Sequence, residues 1–350
     1  MTTRVTIKDI AAAADLSISC TARALKGSKD ISEKTRQRVK KIAEEMGYYP
    51  DPMLRALAAY RQTNKPSDFR GTIAFLNTRF TEAEALADPD VGDLLRGARA
   101  KGESLGFQVD YFNISKTKAV QLRAWKIIQS RGIEAAILRS FPLNIEDLHI
   151  PLQEMRCVAL FGAPKASNLP TVSSDHTGAM QNVLTKLAEK GYRRPALVLN
   201  ENTSRFLRHG WRSYFSVDTG DFERKEVYSY QQGEEEPRQL IRWIEEKDID
   251  VVIFCANYMI EPYLVEKKTS FEQVGMVCMD ILKPEEEGSS GIYQNRLQAG
   301  AMAVEQLDEL LSKPEMELAN APVIHLVPGI WVEGKTLPSR LRDPHLGGGN

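Results

Sequence analysis

Val5-Thr6-Ile7-Lys8-Asp9-Ile10-Ala11-Ala12-Ala13-Ala14-Asp15-Leu16-Ser17-Ile18-Ser19-Cys20-Thr21-Ala22-Arg23-Ala24-Leu25 is the stretch whose reading settles what kind of chain this is. Thr6 can cap a first helix, in which Ile7, Ile10, Ala11 and Ala14 recur at helical spacing. Asp15-Leu16-Ser17 reads as a tight turn, and Ser17 as a second cap offering its hydroxyl to free backbone N–H groups. From that cap Ile18, Ser19, Ala22 and Arg23 fall on one face, with Leu25 turned inward. Ser32-Glu33-Lys34-Thr35 opens a third, amphipathic helix running through Val39, Ile42 and Met46 to Gly47. Three short helices around a small apolar core are what a module that lays a helix in a DNA groove requires. The alternative is an ordinary helical hairpin at the front of an enzyme.

Charge favours the first reading. Residues 1–65 hold thirteen Lys and Arg against seven Asp and Glu, a net of +6; the whole chain carries −1, so the other 285 residues carry −7. A basic head on an acidic body concentrates attraction to phosphate where the groove-reading helix sits. Behind the head, Asp51 can cap a helix and Pro52 suits its first turn, with good helix formers over Met53–Tyr60. So short a helix is marginal alone in water and needs a partner. Asn64-Lys65-Pro66-Ser67-Asp68 reads as a polar linker.

From Gly71 the pattern changes. Predicted strands at Thr72–Leu76, Gln108–Phe112, Ala135–Leu138, Cys157–Phe161, Ala196–Leu199, Val251–Phe254 and Val274–Met279 alternate with helices. Those helices are expected around Gly92–Leu105, Leu122–Ser130, Gly178–Lys190, Glu235–Glu246 and Arg296–Leu311. Such alternation argues for parallel sheets with covered faces, and the length exceeds one typical core, so two α/β lobes are expected. Loops at the carboxyl ends of the strands should line a cleft. There Phe80, Asp175, Arg208, Phe254 and Asp280 are the candidate ligand contacts. Asp175 in Asp175-His176-Thr177-Gly178 reads equally as the cap of the next helix, and Asp280 as either a binding carboxylate or a lobe hinge.

From about Val5 to Pro338 the chain resembles the lactose-repressor/galactose-repressor (LacI/GalR) family of bacterial transcription regulators. The likeness is most specific over Val5–Leu57, including Ser32-Glu33-Lys34-Thr35-Arg36-Gln37-Arg38-Val39 and Gly47-Tyr48-Tyr49-Pro50. The resemblance implies that Ile18, Ser19 and Arg23 read bases in the major groove, where an Arg fork suits guanine O6 and N7. Thr6, Ser17, Lys26, Ser32 and Thr35 complete the candidate DNA contacts. It further implies that residues 53–60 form a hinge helix ordered against a dimer mate on DNA, with Leu57 wedged into the minor groove. Otherwise Leu54 and Leu57 are a small apolar stripe on the body. The body is implied to be a two-lobed periplasmic-binding-protein-like clamp, crossed by the chain near 162, 292 and 325, with a ligand between the lobes. Asp280 stands where family members hold an effector with an Asp, whose carboxylate can accept two ligand hydroxyls.

The chain also departs from that pattern. Asp15 replaces the usual turn Gly, which Asp tolerates in left-handed geometry; Thr21 takes an inward Val position, and Ala22 lacks a hydroxyl. Leu207 stands where an Arg normally precedes Gly210-Trp211, with Arg208 one step round the helix, and Asn257-Tyr258 replaces Asn-Asp.

No enzyme signature is present: no phosphate-binding glycine loop, Gly-x-Ser-x-Gly elbow or His-Glu-x-x-His pair. Five scattered His and four Cys without Cys-x-x-Cys spacing indicate neither a metal, a cofactor nor a disulfide framework. No signal peptide or membrane-length apolar run occurs, so a cytoplasmic protein is expected. The expected plan is a helix–turn–helix head over 1–47, hinge and linker over 48–70, an effector-binding and dimerisation domain over 71–337, and a flexible tail over 338–350. That plan implies a homodimeric regulator, a repressor of carbohydrate-use genes, with a pseudo-palindromic operator and a sugar-like effector as partners and no membrane. A sugar-binding or sugar-processing protein with an accessory helical head is the rival from another class.

Overall fold

The computed structural model describes residues 7–25, 28, 30–46, 69–114, 117–139, 147–162, 168–207, 209–217, 222–231, 237–255, 274–284, 288–312 and 323–341. The hinge expectation (Met53–Tyr60, with Leu57) and the linker lie outside the described residues, as do Thr6, Lys26, Arg208, Asn257 and Tyr258.

Three helices form the head: α1 (Ile7–Ala13), α2 (Ile18–Leu25) and α3 (Glu33–Glu45). Ile10, Ala14, Ala24, Val39 and Ala43 make its core, flanked by Leu16, Leu25, Ile31, Ile42 and Met46. Three alanines at the centre let the short helices approach closely, so a few large side chains suffice. The turn between α1 and α2 depends on Asp15, whose φ of 51° places it in the left-handed region. Arg38 of α3 donates to the Ala14 carbonyl at 2.5 Å, satisfying an acceptor just beyond α1. Thr21 is fully buried, and its hydroxyl donates to the Ser17 carbonyl at 3.0 Å. The polar substitution at this inward position therefore leaves no unmet donor.

Among the described residues the body has two six-stranded sheets. In the first, β1 (Gly71–Asn77), β2 (Phe107–Asn113), β3 (Ala135–Arg139), β4 (Arg156–Leu160), β5 (Thr171–Ser174) and β11 (Ile324–Val327) lie in the order β2-β1-β3-β4-β5-β11, every neighbouring pair parallel. In the second, β6 (Pro195–Asn200), β7 (Glu226–Tyr230), β8 (Val251–Phe254), β9 (Gly275–Ile281), β10 (Gly291–Tyr293) and β12 (Ile330–Val332) lie in the order β7-β6-β8-β9-β10-β12. Among the described strands here, only β12, against β10, runs antiparallel. Both sheets put their first strand one place in from an edge and step outward, the arrangement that creates a switch point at the carboxyl ends.

Helices cover the sheets. They are α4 (Glu82–Ala87), α5 (Pro89–Leu105), α6 (Lys118–Ser130), α7 (His176–Glu189), α8 (Glu201–Phe206), α9 (Gly210–Ser216), α10 (Pro237–Glu246) and α11 (Arg296–Ser312). Their apolar faces close a core on each side of each sheet. The strands β5, β7, β10, β11 and β12, of three to five residues, escape the sequence pattern. Thr171-Val172-Ser173-Ser174, Glu226-Val227-Tyr228-Ser229-Tyr230 and Ile324-His325-Leu326-Val327 lack the unbroken apolar run that marks β8, which is no longer than they are.

Among the described residues the chain passes between lobes three times. Strand β5 pairs with β4, so the first crossing lies at Asp175 and not near 162; beyond 162 the chain adds one more strand to the same sheet before it leaves. The chain returns between Tyr293 and Arg296, and crosses again between Val327 and Ile330. Helix α11 comes after a second-lobe strand yet belongs to the first lobe's core, where Ala299, Ala303, Val304 and Leu307 meet Leu94, Leu95 and Ala98 of α5. The expected tail also begins later than 338. The Tyr192 hydroxyl donates to the Pro338 carbonyl at 2.9 Å, the Arg340 N–H donates to the Lys190 carbonyl at 2.8 Å, and the Arg340 guanidinium lies 4.8 Å over the Tyr192 ring. These bonds fix 338–341 to the second lobe, and 342–350 lie outside the described residues.

Candidate nucleic-acid interface and effector cleft

Helix α2 is set by its cap. The Ser17 hydroxyl accepts the Cys20 N–H at 3.1 Å, as a side-chain cap should. Ile18 and Ser19 open the helix, and Arg23, one turn on, is exposed. Ser32 caps α3 in the same way, accepting the Thr35 N–H at 3.3 Å, and its hydroxyl meets that of Thr35 at 2.8 Å. A hydroxyl that accepts from the backbone can still donate outward, so Ser17 can cap its helix and contact a phosphate oxygen together. Cys20, half-buried on α2, is a free thiol.

Between the lobes the expected residues scatter. Asp175 is the cap of α7, accepting the Gly178 N–H at 2.8 Å, and a Cβ on Gly178 would stand 2.3 Å from its carboxylate. This fit is that of a helix cap. Phe254, the last residue of β8, is buried with Leu240, Ile244 and Cys278, so its ring serves that core. Phe80 lies where β1 ends, its N–H held by Asn77 Oδ1 at 3.0 Å and its carbonyl by the Tyr111 hydroxyl at 2.6 Å. Leu207, at the family's Arg position, packs against the second lobe's core. Trp211 is buried there too, with the His176 ring edge-on at 5.6 Å. Burial lowers the His176 pKa to about 4 against the pull of Asp175, so the imidazole is neutral.

Asp280 stands where the sequence points, but it is already engaged. Its Oδ1 accepts from Arg296 Nη2 at 2.5 Å, Arg296 Nε donates to Asp90 Oδ1 at 2.6 Å, and Arg139 Nη2 donates to Asp90 Oδ2 at 2.8 Å. Asp280 belongs to β9 of the second lobe, whereas Asp90 and Arg139 belong to α5 and β3 of the first. Arg296, first residue of α11, thus ties the lobes together beside a crossing. A second tie runs parallel: the Tyr293 hydroxyl of β10 donates to Asp93 of α5 at 2.8 Å. The cap on Asp88, which accepts from Asp90 and Val91, starts α5 so that Asp90 and Asp93 face this junction.

Electrostatics within the chain are uneven. Burial would raise Asp90, but Arg139 and Arg296 overcome it and hold its carboxyl at about 2. At Asp280 burial wins over Arg296, and the carboxyl is raised above its usual range. Burial also disfavours the Arg296 charge, but Asp280 and Asp90 outweigh it and hold the guanidinium firmly protonated. Sequence reading misses Arg296, Asp90 and Arg139. They are 49 to 206 positions apart in the chain, and no local pattern joins them.

A helix–turn–helix head followed by a two-lobed α/β clamp places the chain in one class of fold. Residues 6–51 match the bacterial regulatory proteins of the lacI family, and residues 85–257 match the periplasmic binding proteins and sugar binding domain of the LacI family. The chain belongs to the LacI family. Similar curated proteins include the HTH-type transcriptional regulator MalR of Staphylococcus xylosus, 28% identical over 54% of this chain and 53% of that one. The HTH-type transcriptional repressor CytR of Escherichia coli K12 is 27% identical over 55% and 52%. The matched region thus spans about half the length of these relatives. Solved structures with the same fold include the Lac repressor dimer bound to operator and the anti-inducer ONPF, with TM-score 0.55 and 17% identity over 96% of this chain and 100% of that one. Another is the transcriptional regulator CelR–cellobiose complex, with TM-score 0.54 and 18% identity over 95% and 100%. Among the described residues no helix is long and apolar enough to cross a membrane.

Proposed function

We propose that this protein is a sequence-specific DNA-binding regulator controlled by a small molecule held between its lobes, and that it represses carbohydrate-use genes. The observation that carries the reading is α2 itself: capped by Ser17, packed on the head's own core, and presenting exposed Arg23 from an N-terminal segment, residues 1–65, of net charge +6. Ser17, Ile18, Ser19, Arg23, Ser32 and Thr35 are assigned to the operator, with Thr6, Lys26 and Leu57 as further contacts on the same reading. The effector is assigned to the cleft between the lobes, with Phe80, Asp280 and Arg208 as its candidate contacts. The division of labour is a reading domain over 1–47, hinge and linker over 48–70, and effector binding with dimerisation beyond 71. It acts in the cytoplasm, as a regulator and not as an enzyme.

A homodimer with one reading helix per chain matches a two-fold site, since two-fold protein symmetry imposes two-fold site symmetry. The test is a genome-wide pull-down of bound DNA and then footprinting. Protected pseudo-palindromes next to carbohydrate-use genes support the reading. Protection of a single asymmetric half-site, or no sequence preference, contradicts it.

A further inference from the structure

Resting on the reading of the cleft as the effector site, we infer that Arg296 is the receptor for an acidic group of that effector, a carboxylate or a phosphate, which takes the place of Asp280.

The geometry begins with what Arg296 lacks. Nε and Nη2 are bonded to Asp90 and Asp280, but Nη1 is buried with no hydrogen-bond partner among the described residues. The side chain is 4% exposed. A buried donor without an acceptor is costly, and the cost is relieved when an oxygen arrives. Asp90 and Asp280 each keep 26% of their side chains exposed. Solvent therefore reaches this cluster through the carboxylates, and an incoming ligand meets the guanidinium from their side.

The four groups differ in how readily they give up their charge or place. Neither guanidinium can lose its proton. Asp90 is held by two arginines, Arg139 and Arg296, and stays ionised. Asp280 is bonded to one arginine, Arg296, and burial favours its neutral form. It is the weakest member. When Asp280 is neutral or turned aside, two cations face one anion, and the missing negative charge is supplied by a ligand. A planar fork fits a carboxylate or phosphate edge with two parallel N–H bonds, so Nη1 and Nη2 present a two-point site. Because Asp280 belongs to the second lobe and Arg296 to the first, the exchange also cuts one of the ties between lobes. An acidic effector would therefore act on the lobe arrangement directly.

Substitution and simple anions test this on the full-length protein. Thermal unfolding is monitored in inorganic phosphate and, in parallel, in acetate, each against sodium chloride at equal ionic strength, which cancels general screening. Asp280→Asn removes the competing carboxylate and should tighten binding of phosphate or acetate several-fold over wild type. Asp280→Asn combined with Arg296→Gln should lose it again, by about tenfold or more. A response to phosphate alone assigns a phosphorylated ligand, and a response to both assigns any acidic group. The inference is overturned if neither anion stabilises the Asp280→Asn protein beyond chloride, or if the Arg296→Gln combination responds equally. Should that combination fail to fold, Asp280→Asn with Arg296→Lys keeps the charge without the fork and should bind more weakly than Asp280→Asn alone; equal binding counts against the inference. Operator binding by wild type is measured separately. Its loss would overturn the regulator reading and leave the anion result standing.

Discussion

At the scale of single residues, exposure and burial assign opposite tasks to two side chains. Arg23 is exposed on a capped helix, where a fork can reach a base edge. Arg23→Ala should cost about 1–3 kcal/mol of operator affinity with random-sequence binding nearly unchanged. Titrations on both DNAs check this, and an equal loss on each would make Arg23 a phosphate contact. His176 works in the other direction. Its pKa falls from 6.5 to about 4 because burial beside Trp211 disfavours the cation. The unfolded chain therefore binds a proton near pH 6.5 that the native state accepts only near pH 4. Stability must fall as pH drops through that window, by up to about 3 kcal/mol from this group. His176→Phe keeps an aromatic edge against Trp211 without the titration. Denaturant midpoints at pH 7 and 4.5 should converge in the variant; an equal acid loss in both proteins would show that His176 is not buried as a neutral base.

At the scale of elements, α5 and α11 meet backbone to backbone. A Cβ on Gly300 would stand 2.0 Å from the Leu94 carbonyl oxygen, and one on Gly97 would stand 2.0 Å from that of Leu297. Both obstacles are backbone, which cannot swing aside as a long side chain can. Gly300→Ala should push the helices apart and destabilise the first lobe by about 1–3 kcal/mol or more. An unchanged midpoint in chemical denaturation would mean that the helices are not this close. Because α11 starts at Arg296, such a shift should also disturb the tie to Asp280, coupling core and cleft through one helix. The head's elements were largely legible in the sequence: Ser17 and Ser32 are caps, and Ile10, Ala14 and Val39 are core. Caps and helical periodicity act within a few residues, so they are written locally.

At the scale of the whole molecule, a ligand can change DNA affinity only by binding two lobe arrangements unequally. The ties Asp280–Arg296 and Tyr293–Asp93 are contacts that such a change would break or keep. The hinge expectation supplies the other half of the linkage. If residues 53–60 order only in a DNA-bound dimer, Leu57→Ala should weaken specific binding, reduce operator bending and blunt the ligand's effect on DNA affinity. Bending assays with and without ligand check it, and a variant that bends and responds fully would leave Leu57 as ordinary apolar surface.

The sequence by itself determined the capped three-helix head, the alternating strands and helices of the body and the family, because each rests on spacing within one short segment. Only the tertiary structure decided that Asp175 is spent on a helix cap, that Phe254 serves a core, and that β5 stays in the first sheet. It alone joined Asp90, Arg139, Asp280 and Arg296 into one charged chain, because ion pairs form where the chain's crossings bring distant residues together, and sequence patterns carry no record of that distance.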